Sequence, residues 1–160
     1  MKQIISIVLL CLLLSSCATR RYSDSAASAT LINQLSEEIS GFEDYIEYSR
    51  EELGYILPSD MINSDICVLY SKDTDDQGEI GVIRAKTEKD AKEIAVQITE
   101  YIKSSKEERR AFLENYLPNE LSKLNSAQVR RFGCYVIYTI LESDQASVLF
   151  NAAQKRLTTP

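Results

Sequence analysis

The sequence predicts an α+β domain on an antiparallel sheet, and three observations carry that expectation. Four strand-length apolar runs fall in two pairs. Residues 65–71 and 79–86 flank a polar loop, and residues 127–131 and 134–141 flank a tight turn at Gly133. A helix-capping residue follows each pair, Thr87 after the first and Ser143 after the second. Apolar positions then recur at helical spacing, at Ala91, Ile94, Ala95, Ile98, Tyr101 and Ile102, and at Ala146, Leu149, Phe150, Ala153 and Leu157. The predicted order is ββα-ββα. It implies an antiparallel four-stranded sheet with helices packed on one face, preceded by one or two N-terminal helices.

The chain opens with an address. Lys2 supplies a basic start, and residues 4–14 are apolar except for Ser6. That run matches a signal-peptide core and falls short of the roughly 20 residues needed to span a bilayer. Leu14-Ser15-Ser16-Cys17 then reads as a lipobox, with cleavage between Ser16 and Cys17 and a diacylglycerol on the Cys17 thiol. An ordinary secretory signal with an incidental cysteine, or a short buried helix, is the plainer alternative. The lipobox divides the chain into a signal peptide at 1–16, a lipidated cysteine with a flexible tether at 17–30, and a single domain at 31–157. Two or more acyl chains hold a protein stably on a membrane. The membrane is then a partner through Cys17, and the domain is extracytoplasmic. It faces the outside of a single-membrane cell, or the periplasm or outer membrane of a double-membrane one.

Within the domain, Leu31, Ile32, Leu35 and Ile39 predict an amphipathic helix. Phe42, Tyr45, Ile46, Ser49 and Leu53 predict a second, after Gly41. Leu57-Pro58 marks a turn or a helix start. Asp73, Asp75, Gln77 and Gly78 match early positions of a calcium loop, but the twelfth position holds Arg84 where a bidentate Glu belongs, so no metal is assigned. Thr87 with Asp90 resembles a capping box opening the main helix. That helix runs to Tyr116, or breaks near Ser104-Ser105. Leu117-Pro118 ends it, a short helical turn covers 120–124, and Ser143 caps the last helix. The recurrence of Leu-Pro, Asn-Ser, hairpin and capped helix at 57–87 and 117–143 hints at two strand-strand-helix units sharing one sheet.

Composition narrows the chemistry. The net charge is −6, or −7 once Lys2 leaves with the signal, a poor match to nucleic acid, anionic lipid or wall polyphosphate. The chain has no histidine, which excludes Ser-His-Asp and Cys-His catalysis and the usual zinc-hydrolase sites while leaving carboxylate chemistry open. No catalytic residue, cofactor or metal is assigned. Cys11 leaves with the signal. Cys67 and Cys134 remain beside apolar runs, where a disulfide is permitted outside the cytoplasm and two buried thiols are the plainer expectation. Tyr45, Tyr48 and Tyr55 suit either a ligand groove or ordinary packing. Lys106, Arg109 and Arg110 suit an anion site or, with Glu107 and Glu108 interleaved, a salt-bridged face.

Three motifs carry a resemblance. Glu79-Ile80-Gly81-Val82-Ile83-Arg84-Ala85-Lys86 resembles the acidic-hydrophobic-basic strand of the domain-of-unknown-function family numbered 4358, with Gly78 where an acidic residue usually precedes the Glu. Tyr116-Leu117-Pro118 after a charged helix and Gly133-Cys134-Tyr135-Val136 before the last helix resemble its other two motifs, over roughly residues 55–150. The resemblance implies a small lipoprotein, mostly of Gram-positive bacteria, with an α+β domain, and brings no catalytic residues. Two functions are then expected. The first is a non-enzymatic module of the cell envelope that binds a protein or small ligand. The alternative is a carboxylate-dependent envelope hydrolase drawing on Glu79, Glu142 and Asp144.

Overall fold

The computed structural model describes residues 21–159 apart from Asn63. The expected signal peptide at 1–16, with its cleavage site at Ser16 and Cys17, lies outside the described residues. The elements run α1 (Ser28–Ser36), β1 (Tyr45–Glu47), β2 (Asp65–Ser71), β3 (Glu79–Arg84), α2 (Glu88–Tyr116), α3 (Pro118–Asn125), β4 (Gln128–Phe132), β5 (Tyr135–Ile140) and α4 (Ser143–Leu157). The class is α+β, with one fully antiparallel sheet of five strands in the order β1-β2-β3-β5-β4.

The central strands are buried on both sides, which corrects the expectation of helices on one face. Successive strand residues point to opposite faces. Ile80, Val82, Tyr135 and Ile137 join Leu31, Ile32 and Leu35 of α1 and Leu149, Phe150 and Ala153 of α4 in one core. Ile83, Val136 and Tyr138 join Ala91, Ile94 and Ile98 of α2 and Leu53, Ile56 and Leu57 in the other. The two hairpins do meet, through β3 and β5. Their helices depart to opposite faces, so the ββα units do not repeat as wholes.

The fifth strand is the second correction. The segment 42–53, expected as a helix, forms a 3₁₀ turn (Phe42–Asp44), then β1, then another 3₁₀ turn (Glu52–Tyr55). Ile46 pairs with Tyr70, so cross-strand pairing with β2 overrides the local helical spacing. One helix, α1, therefore precedes the sheet.

The main helix is unbroken through Ser104-Ser105 for 29 residues, with the Thr87 hydroxyl accepting from Asp90 N at 3.1 Å. At 1.5 Å per residue it is about 43 Å long, roughly twice a six-residue strand. Its far half therefore overhangs the sheet, and α3 packs Leu124 against Leu113 there. At α4, Ser143 is the first helical residue and Glu142 the cap position without a side-chain bond, so the expected Ser143 cap is not formed.

Residues 21–27, expected in the tether, lie against the domain. Ser23 N donates to Leu157 O at 2.8 Å and Thr159 N donates to Arg21 O at 3.0 Å. Tyr22 meets Phe132 edge-on, with centroids 5.7 Å apart. Cys67 and Cys134 are free thiols, Cys67 buried on β2 opposite Val82 and Cys134 half-buried in the β4–β5 turn. Burial, with Glu47 nearby, pushes the Cys67 thiol up to about 12.

Candidate functional site

The first residue of β3, Glu79, is buried at 4% exposure on the α2 side of the sheet, where an apolar residue would be expected. Three hydroxyls close on it. Tyr138 Oη donates to Oε1 at 2.5 Å, while Tyr101 Oη and Tyr48 Oη donate to Oε2 at 2.9 and 3.2 Å. The three tyrosines come from β5, from α2 and from the residue after β1, so the carboxylate ties the sheet to its covering helix.

Glycine makes this geometry fit. Gly81 is paired with Tyr138, and a Cβ on Gly81 would stand 1.9 Å from the Tyr138 ring. With no side chain there, the ring lies across β3 and its hydroxyl reaches back two residues to Glu79. At Gly78 a Cβ would stand 1.7 Å from Tyr45 Oη, so an acidic residue there requires Tyr45 to move.

Burial raises the Glu79 pKa above the ordinary carboxylate range, and the hydroxyl donors and the Arg109 charge offset part of that rise. Burial and the Glu79 charge likewise push the Tyr138, Tyr101 and Tyr48 phenols up, so they remain donors at neutral pH.

Beside this cluster lies a cavity of about 230 Å³, lined by Tyr48, Tyr70, Asp73, Gln77, Glu79 and Arg109 among others. Tyr48 and Tyr70 stack along one wall with centroids 4.3 Å apart. Arg109 Nη1 donates to Gln77 Oε1 at 2.7 Å at its rim. Arg109 also borders a neighbouring groove with Tyr55, Tyr101 and Ser105. Of the three tyrosines the sequence singled out, Tyr48 lines the cavity, Tyr45 stacks on Phe42, and Tyr55 is 85% exposed in the groove.

The charges around the cavity are distributed among separate bonds. Lys123 of α3 binds Asp76 at 2.6 Å and Glu120 at 2.9 Å, and Glu120 accepts from Gln77 N. In the calcium-like loop Asp73 accepts from Asp75 N, and Asp76 accepts from Gly78 N and Lys123. Glu142 accepts from Ser122, and Asp144 accepts from Gln145 N. Neither borders the cavity that Glu79 floors, so the three hydrolase candidates are not brought together there. Arg110 pairs with Glu114 rather than joining Arg109 and Lys106 in an anion site. No group of three His, Cys, Asp or Glu residues suited to a metal occurs among the described residues.

The sequence missed this cluster because its members are far apart in the chain. The one signal was an acidic residue opening an apolar strand, the position the family resemblance marked. No curated protein and no solved structure matches the chain. A family model described as a domain of unknown function (DUF4358) matches residues 39–141, which takes in the sheet, α2, α3 and every residue of the tyrosine cluster. The chain belongs to the DUF4358 family.

Proposed function

We propose that this protein is a lipid-anchored bacterial envelope protein, held through Cys17, whose domain is a non-enzymatic module that binds a small ligand or an extended segment of a partner. The observation that carries the binding half is the cavity between Tyr48, Tyr70 and Arg109. It offers an aromatic wall of two tilted rings and a guanidinium with no ion pair among the described residues. Its one fully buried carboxylate already accepts three hydroxyls, which suits a scaffold better than a proton-transfer group. The lipobox at 14–17 supports the anchor, and no helix among the described residues is long and apolar enough to cross a membrane.

Palmitate labelling of cells tests the anchor. Label should appear on the wild type and be lost in Cys17→Ala. A thermal-shift screen of the full-length protein against envelope glycan and peptide fragments tests the cavity. The expected binder survives incubation unchanged and loses its effect in Tyr70→Ala and Arg109→Ala. Turnover of a fragment that disappears in Glu79→Gln would replace this reading with the carboxylate-dependent hydrolase.

A further inference from the structure

We infer that the anchored protein stands on the bilayer with the Arg84–Tyr135 end of its sheet against the phospholipid headgroups and the Tyr48–Arg109 cavity at the opposite end, facing away. This inference rests on the Cys17 lipid proposed above. The first observation is the length of chain available. Only residues 18–20 separate Cys17 from Arg21. Four steps at no more than about 3.6 Å each reach roughly 14 Å, whatever path the chain takes.

The second observation is where that chain joins the domain. Arg21 O accepts from Thr159 N, and Tyr22 forms a bridge with Thr158. Arg84 Nη1 donates to Asp24 O at 3.0 Å. Thr158 follows the end of α4, and Arg84 closes β3 opposite Tyr135, the first residue of β5. Residues 21–24 are thus fixed to one end of the sheet. Glu79 opens β3 at the other end, paired with Ile140. The cavity therefore lies about 17–20 Å farther from the anchor, the length of a six-residue strand.

Both ends carry charges of both signs. Exposed Arg21, Lys86, Arg131 and Lys155 lie at the anchored end without ion pairs among the described residues, interspersed with the acids Asp24, Asp60, Glu88 and Asp90. The far end carries exposed Asp44, Asp73, Asp75 and Asp144 together with exposed Lys72 and Arg109. The short tether and its attachment at residues 21–24 set the orientation.

The test uses the full-length lipidated protein in vesicles of phosphatidylethanolamine and phosphatidylglycerol, with a photoreactive diazirine residue in place of Lys86, Arg131, Asp75 or Asp144. Lipid adducts should form several-fold more at Lys86 and Arg131 than at Asp75 and Asp144. Inserting about 30 Gly/Ser residues after Thr19, with an end-to-end distance averaging roughly 30 Å, should remove most of that bias. Equal adducts at both ends of the unmodified protein, or a bias that survives the insertion undiminished, overturns the inference. Mass spectrometry of the N-terminal peptide reads the anchor separately. A lipid on Cys17 with no orientation bias fails only the inference, whereas a peptide without lipid fails the anchor itself.

Discussion

Glu79 and its three tyrosines hold a carboxylate in the core with every donor coming from a hydroxyl. Burial costs the charged form more than the hydroxyls return, so the folded state binds this proton more tightly than the unfolded chain does. Stability from Glu79 is therefore fully present below the ordinary carboxylate pKa and is lost as pH rises through the folded value. Tyr138→Phe removes the hydroxyl on Oε1 and penalises the charged form further. It should cost about 1–3 kcal/mol at neutral pH and progressively less toward acid, as Glu79 takes up its proton. Urea unfolding at about pH 5 and about pH 8 checks this against the carboxyl's ordinary pKa of about 4.3. An equal cost at both values would mean that Glu79 does not titrate between them.

At the level of elements, α3 matters for what it carries rather than for its eight residues. Lys123 reaches across to Asp76 and fixes the β2–β3 loop that forms one rim of the cavity. Burial alone would push the Asp76 carboxyl up, but bonds from Lys123 and Gly78 N outweigh it and hold the pKa below its usual value. The stability this contributes is present above the unfolded pKa and is lost as pH falls through the folded one. Lys123→Met should cost about 1–2 kcal/mol at neutral pH, with the gap to wild type closing in acid below about pH 4. Thermal melts across that range decide it, and a gap that persists in acid would assign the cost to packing. The bounds of β2 and the opening of α2 were legible in the sequence because apolar pattern and cap agreed. Residues 42–53 were not, since Tyr45, Ile46 and Leu53 fit a helix locally and only the distant β2 selects a strand. The layer arrangement was legible in principle. Residues 135–141 are apolar or aromatic at six of seven positions, and a strand open to water on one face would alternate. The glutamate cluster was not, because Tyr48, Tyr101 and Tyr138 share no local pattern.

Over the whole molecule, the family match and the fold divide differently. Residues 39–141 supply the sheet, α2, α3 and the tyrosine cluster, yet α1 and α4 lie outside that span and cover the opposite face. The matched stretch alone would leave Ile80, Val82 and Ile137 open to water, so α1 and α4 are part of the folding unit. The strand order has a last consequence. The outermost strands β1 and β4 have three and five residues, and β4 carries Arg130 and Arg131 in succession on its two faces, Arg130 lying 4.4 Å over the Phe150 ring. If the proposed anchor holds, neighbouring copies on one membrane would meet at high effective concentration, and an unpaired strand rim is where such copies would zip together. A rim this short on one side and this cationic on the other is a poor template for added strands. Replacing both arginines with valine should yield dimers and larger species by light scattering, and a preparation that stays monodisperse would show that the protection lies elsewhere.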